Sequence, residues 1–395
     1  MHSKSIYPEW IGIGLSFYTF IAIGIAEAGL GVLLPSILST YHLTPATVTL
    51  LFLSQMSGYM MAALTSSLLS SRMGLARMLL LATITLTSAL VIYALTAHWA
   101  VMVAAGTLLG FGIGLIDAGI NTYIANNRNA SLMGFLHAFY GIGALLGPTL
   151  ATTLLALGLS WRLIYLHIAG IAGLAIAAML WAVVYNYEPM TVRVTNQSTS
   201  AGASLRLALR TPTVIVAGLL LLIYVGTEVS VGNWAYSVQS ISRETPKLIA
   251  GYSVSAYWLG LTVGRLYMGR LVERLGAVRT IDFSLMLLTI SLVAWWLLPG
   301  LLLSLPMIGF ALATIFPATI WLMPQRVSPR LVPAAIGFVT SFASLGAAAI
   351  PSVVGWISAR AGLEIIPALM VPLAVLMVVL HRWLVRHSSG SLLGN

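Results

Sequence analysis

Cysteine is absent from this 395-residue chain. No disulfide, thiolate metal site or cysteine nucleophile can be built from it. Charge is nearly as scarce: 7% of the residues are charged and only 9 are acidic, whereas about a quarter of a soluble domain's residues are charged. Nine carboxylates cannot cover the surface of a water-soluble body this long, so a string of soluble domains is excluded. Also missing are a phosphate-cradling Walker loop, a His-Glu-x-x-His helix and a Gly-x-Ser-x-Gly elbow. Those are the sequence forms of nucleotide-driven pumps, zinc peptidases and serine hydrolases. No cluster of metal ligands stands out either. The expectation is a protein that is not an enzyme, holds no metal and needs no cofactor.

What is present is apolar length. Hydrophobic residues make up 59% of the chain, and the mean hydropathy is +0.98. Runs of about 20 apolar residues cross a hydrocarbon core of about 30 Å as helices. Twelve such runs lie near 11–38, 47–70, 76–96, 99–124, 131–157, 162–185, 213–237, 248–269, 280–298, 301–323, 332–357 and 363–381. They are continuous rather than alternating, which excludes a β-barrel. The first is too long, and wrongly flanked, for a cleaved signal peptide.

The formal charge of +10 is explained by where the bases fall. Lys4, Arg72, Arg77, Arg128, Arg193, Arg206, Arg210, Arg270, Arg274, Arg279, Arg326, Arg330, Arg382 and Arg386 lie on one side of these spans. Arg162, Arg243, Lys247 and Arg360 lie on the other, and Arg265 falls within a span. This bias places both termini in the cytoplasm. The basic charge is topological, and no nucleic-acid partner is expected. With compact loops, the sequence predicts a monomeric, multi-pass protein of a bacterial inner (plasma) membrane, its partners lipid, protons and a small solute.

The longest polar stretch separates six spans from six, giving an N-terminal bundle over 1–188, a cytoplasmic linker over 189–211 and a C-terminal bundle over 212–395. Within it, Ser204–Arg210 carries arginines four apart and reads as an interfacial helix or as a solvated connector. The two halves repeat. Gly24–Gly31 with Glu27 matches Val225–Gly232 with Glu228, and Ser71-Arg72-Met73-Gly74 with Arg77 matches Glu273-Arg274-Leu275-Gly276 with Arg279. Gly134-Phe135, Phe139, Gly143 and Pro148 match Gly337-Phe338, Phe342, Gly346 and Pro351, all at offsets of 201 to 203. A duplicated six-helix bundle is a transporter's geometry, with a site at the repeat interface near the membrane midplane.

Twelve spans, the 6+6 repeat, the central loop and Gly-Arg-Leu-Val-Glu-Arg-Leu-Gly-Ala-Val-Arg at 269–279 resemble the major facilitator superfamily across essentially the whole chain. The resemblance implies an all-α membrane protein of two pseudo-symmetric six-helix bundles, working by alternating access on a proton gradient. It also implies a cytoplasmic gating latch at Glu273, Arg274, Gly276 and Arg279, with Arg72 in the first-half copy, where Ser71 replaces the family's aspartate. Asp117-Ala118-Gly119-Ile120-Asn121, Gly226–Trp234 and His137–Pro148 are similar to the fucose–galactose–glucose proton symporters. That group carries one carboxylate in span 1 and one in span 4. Glu27 and Asp117 stand there with the acid types exchanged. The implied function is proton-coupled symport of a monosaccharide. The alternative is a proton-coupled antiporter exporting drug-like or amphiphilic compounds, because Gly134, Gly143, Gly147 and Pro148 nearly complete the glycine–proline motif of such antiporters.

An acid in mid-membrane costs about 2.5–3.5 kcal/mol on insertion scales, so intramembrane acids default to function. Asp117, with Asn121 one turn later, and Glu27 are the proton-coupling candidates. Glu228, Asn233 and Trp234 combine carboxylate, amide and indole, a set suited to a polyol; Trp234 reads equally as an interface anchor. Asn121, His137, Tyr140, Gln55 and Trp258 complete the candidate solute ligands, with His137 standing as relay, ligand or packing residue. Arg265 reads as a snorkelling side chain near a helix end.

Overall fold

The computed structural model describes residues 8–126, 130–190, 207, 210–329 and 331–388. Most of the 189–211 linker, including most of the proposed interfacial helix at Ser204–Arg210, lies outside the described residues. Among those described, the chain is helical throughout, with no strand. It divides into two compact units, Met1–Leu43 with Leu50–Gln197, and Thr44–Thr49 with Ser198–Asn395.

The first unit holds α1 (Glu9–Ala28), α2 (Leu30–Thr40), all but the first five residues of α3 (Pro45–Met73), α4 (Leu75–Leu95), α5 (Trp99–Asn126), α6 (Ala130–Ala156) and α7 (Trp161–Val184). In the second are α8 (Pro212–Ser237), α9 (Lys247–Leu275), α10 (Ala277–Leu297), α11 (Ser304–Leu312), α12 (Ile315–Arg326), α13 (Val332–Ala361) and α14 (Ile365–Ser388). Span 1 is interrupted only at Gly29, which keeps helical angles, so α2 continues α1. Span 10 is interrupted at Ala313 and Thr314, also in the right-handed helical region. Among the described residues, eleven helical stretches are long and apolar enough to cross a membrane. The twelfth, α9, has 29 residues, a sufficient length, but carries Lys247, Arg265, Arg270, Glu273 and Arg274. Its end was expected near 269 and lies at Leu275, because the charged motif is helical rather than looped.

Between lipid-facing helices there is little hydrophobic drive, so close backbone packing at small residues does the joining. The repeat is visible at that level. A Cβ on Gly143 of α6 would meet Ile21 O of α1 at 2.2 Å, and one on Gly346 of α13 would meet Leu222 O of α8 at 2.0 Å. Each pair brings span 5 or span 11 onto span 1 or span 7. Gly143 and Gly147 of the glycine–proline motif thus serve helix contact. Four corners also recur: Gly74 and Gly276 have φ of 83° and 79°, and Gly158 and Gly362 have φ of 84° and 83°. With ψ of 159°, 153° and 161° at Gly74, Gly276 and Gly362, the backbone occupies a region essentially reserved for glycine.

Helix α5 meets α3 through Gly106, Gly110 and Gly114, one turn apart. A Cβ on Gly110 would lie 1.8 Å from Gln55 O. The obstacle is backbone, so Gly110→Ala must push the two helices apart, an overpacking that costs about 1–3 kcal/mol. Its unfolding midpoint in detergent is expected to fall measurably. An unchanged midpoint would show that the contact is looser than described.

Candidate functional site

Each unit carries its own polar cluster. In the first, α5 supplies Asp117 and Asn121 one turn apart, and the Asn121 amide donates to Asp117 Oδ1 at 2.8 Å and to its backbone oxygen at 2.9 Å. From α3, the Tyr59 hydroxyl donates to Asp117 Oδ2 at 2.6 Å. Both carboxyl oxygens are thereby held, and the Gly110 and Gly114 contacts fix the register that brings Tyr59 to Asp117. On α1, exposed Glu27 accepts from Tyr140 of α6 at 2.9 Å. Tyr59 lies within electrostatic range of Glu27 as well as Asp117, so the two acids share one neighbourhood. One turn before Tyr140, exposed His137 sets its ring edge-on to Phe20 with centroids 6.0 Å apart. Gln55 turns to the interior of the unit and donates to the buried Tyr93 hydroxyl at 3.2 Å.

The second cluster lies on α8 and α9. Glu228 Oε1 is 3.6 Å from Arg265 Nη2, and the Tyr257 hydroxyl donates to the backbone oxygen of Glu228 at 2.9 Å. Trp258 packs edge-on to Tyr257 with centroids 5.2 Å apart, and its indole nitrogen is buried without a partner among the described residues. Asn233 is half-buried. Trp234 departs from expectation. Its ring is fully buried against α13, with Nε1 donating to Pro351 O at 3.2 Å. Stacking on a solute and anchoring at an interface both need an exposed ring face, and this arrangement offers none.

Arg265 also departs from expectation. It stands ten residues before the end of α9 and five before the charged stretch that opens at Arg270, and its guanidinium meets Glu228 on α8. The latch residues Glu273, Arg274 and Arg279 are exposed, as is Arg72, and Gly276 turns the corner between α9 and α10. Glu273 makes no side-chain hydrogen bond or ion pair among the described residues.

Three partners were not read from the sequence. Tyr59, Tyr93 and Arg265 as an ion-pair member depend on register between helices, for which a single sequence carries no signal. Arg265 had one clue, an opposite charge on the neighbouring span. No group of three or more His, Asp or Glu able to hold a metal ion occurs among the described residues. The arrangement can orient and exchange protons on two acids in one unit and offer a donor–acceptor pair in the other.

Known proteins match this picture. The family model described as Major Facilitator Superfamily matches residues 16–251 and 230–392. The chain is 27% identical over 390 residues to "Bypass of stop codon protein 6" of Saccharomyces cerevisiae, covering 89% of this chain and 77% of that protein. It is 25% identical over 348 residues to the glucose/mannose transporter GlcP of Bacillus subtilis, covering 85% of each. Among solved structures, a point mutant of the nucleoside transporter NupG superposes with a TM-score of 0.76 at 16% identity, over 95% of this chain and 99% of that one. A bacterial homologue of the lysosomal transporter Spinster gives 0.74 at 14% identity, over 96% of each chain.

Proposed function

This chain belongs to the major facilitator superfamily, a membrane transporter and not an enzyme, and from that premise we propose that it carries a monosaccharide together with a proton by alternating access. The observation that carries the reading is Asp117, the one charged residue of α5, whose two oxygens are held by Tyr59 and Asn121. An acid kept at that depth against its insertion cost is a carrier that a proton can neutralise. Glu27, exposed and bonded to Tyr140, is the second proton-coupling group. A hexose is the solute class because the relative of Bacillus subtilis is a glucose/mannose transporter, and because hydroxyl, amide and carboxyl groups form the first cluster while the second sets a carboxylate and a guanidinium beside a phenol and an indole. The excess of basic residues on one side of the spans supports a reading with both termini cytoplasmic in a plasma membrane.

The test is uptake by the purified protein in proteoliposomes with an alkaline interior. Labelled glucose, mannose, fucose and galactose are offered in turn, and sodium and proton gradients are imposed separately. Accumulation of a hexose that a protonophore abolishes is the expected result. Indifference to every sugar, with pH-driven export of a lipophilic cation, overturns it in favour of drug antiport.

A further inference from the structure

The ion pair on α8 and α9 is not needed for the proton path described above. Glu228 and Arg265 stand 3.6 Å apart, with side chains 12% and 28% exposed. On α9, Tyr257 and Arg265 are eight residues apart and share a face; the first grips the Glu228 backbone and the second meets its carboxylate. Tyr224, one turn before Glu228, lies within electrostatic range of both members of the pair.

The other charges on the helices packed on α8 and α9 lie toward helix ends, Arg279 and Asp282 in the first two turns of α10 among them. The helices packed on α8 are α13, α14, α9, α12 and α11. Arg360 closes the last turn of α13, Arg326 ends α12, and His381, Arg382, Arg386 and His387 lie toward the end of α14. Helix α11 has no ionisable residue, and the remaining charges of α9 are Lys247 at its start and Arg270, Glu273 and Arg274 near its end. A lone ion of either sign within a span is costly, and two of opposite sign in contact offset one another.

We propose that Arg265 is the fixed counter-charge of Glu228: it positions the carboxylate for solute hydroxyls and keeps Glu228 out of the proton path through the whole transport cycle. Glu27 and Glu228 occupy matching positions in the two halves, yet Glu27 accepts from the Tyr140 hydroxyl where Glu228 faces a guanidinium. The functional arm of the test rests on the sugar-symport reading; the thermodynamic arm does not.

Five full-length proteins decide it: wild type, Glu228→Gln, Arg265→Gln, the double Gln variant and Arg265→Lys. First, unfolding midpoints in detergent form a double-mutant cycle. Each single neutralisation is expected to lower the midpoint more than the double does, and strictly additive shifts overturn the pairing. Second, proteoliposomes are given labelled glucose and mannose under an imposed pH gradient. Arg265→Lys is expected to retain transport. The double variant is expected to bind hexose about tenfold more weakly, the scale of losing a hydrogen bond to a charged group. It should nevertheless reach the wild-type accumulation ratio once hexose is saturating. Exchange without accumulation in the double variant overturns the proposal and makes Glu228 a proton carrier. Should wild type accumulate neither hexose, the sugar reading fails and the midpoint cycle alone decides the role of Arg265.

Discussion

Asp117→Asn is expected to abolish uphill solute accumulation while downhill exchange continues. A gradient of about two pH units is worth about 2.7 kcal/mol per proton, enough for about hundredfold accumulation with one proton per solute. Asparagine fills nearly the same volume but cannot take or release a proton, so it imitates only the neutral acid. Its amide can still meet both neighbours: its oxygen keeps accepting from Asn121, which also holds the backbone oxygen of residue 117, and its NH2 can donate to the Tyr59 hydroxyl oxygen. The helix contacts at Gly110 and Gly114 are untouched. The mutant should therefore equilibrate labelled hexose across a vesicle membrane and never exceed the outside concentration. Glu27→Gln is the comparison; if Glu27 touches solute through its bond with Tyr140, affinity and exchange fall together. Retained pH-driven accumulation in Asp117→Asn would remove Asp117 from the proton path and leave Glu27.

Trp234→Ala is expected to cost stability rather than recognition. The ring has no exposed surface, donates to Pro351 O, and lies where a Cβ on Gly355 would come within 2.9 Å of its Cζ2. Truncating a fully enclosed tryptophan leaves a cavity and costs about 3–5 kcal/mol. In addition, the Pro351 carbonyl loses a donor. The unfolding midpoint in detergent should drop sharply, and the folded fraction should bind solute with ordinary affinity. A mutant of normal stability that binds hexose much more weakly would return the ring to the solute.

The spans and the halving of the chain were readable because lipid permits few alternatives: long apolar runs must be helices, and charge must collect beyond their ends. The same rule misled at α9, where Arg270 to Arg274 look like loop and are helix. Pairs within one helix were also readable, since Asp117 and Asn121 at four residues' spacing face each other. Glu27 and Tyr140 were each identifiable, but not as partners. Bonds between helices, such as Tyr59 to Asp117 and Gln55 to Tyr93, depend on which turn of one helix opposes which turn of another. Glycine contacts like Gly110 on Gln55 set that register, and they become visible only when both backbones are in place. Burial misled at Trp234, because an aromatic near a helix end has the same sequence form whether it faces lipid, solute or a neighbouring helix.

The four corner glycines have a bearing on the chain's ancestry. Gly74 and Gly158 bend the first half where Gly276 and Gly362 bend the second, yet the chemistry beside those bends has drifted apart. Serine stands at 71 where glutamate stands at 273, and tyrosine at 140 where alanine stands at 343. The acids at 27 and 228 survive in both copies, but one is served by a phenol and the other by a guanidinium. After duplication, the places where the backbone turns stayed fixed while the side chains around the acids diverged. An engineer seeking a new cargo can follow the same division, recasting Glu27 with its phenol and Glu228 with its guanidinium as pairs and leaving the four corner glycines alone.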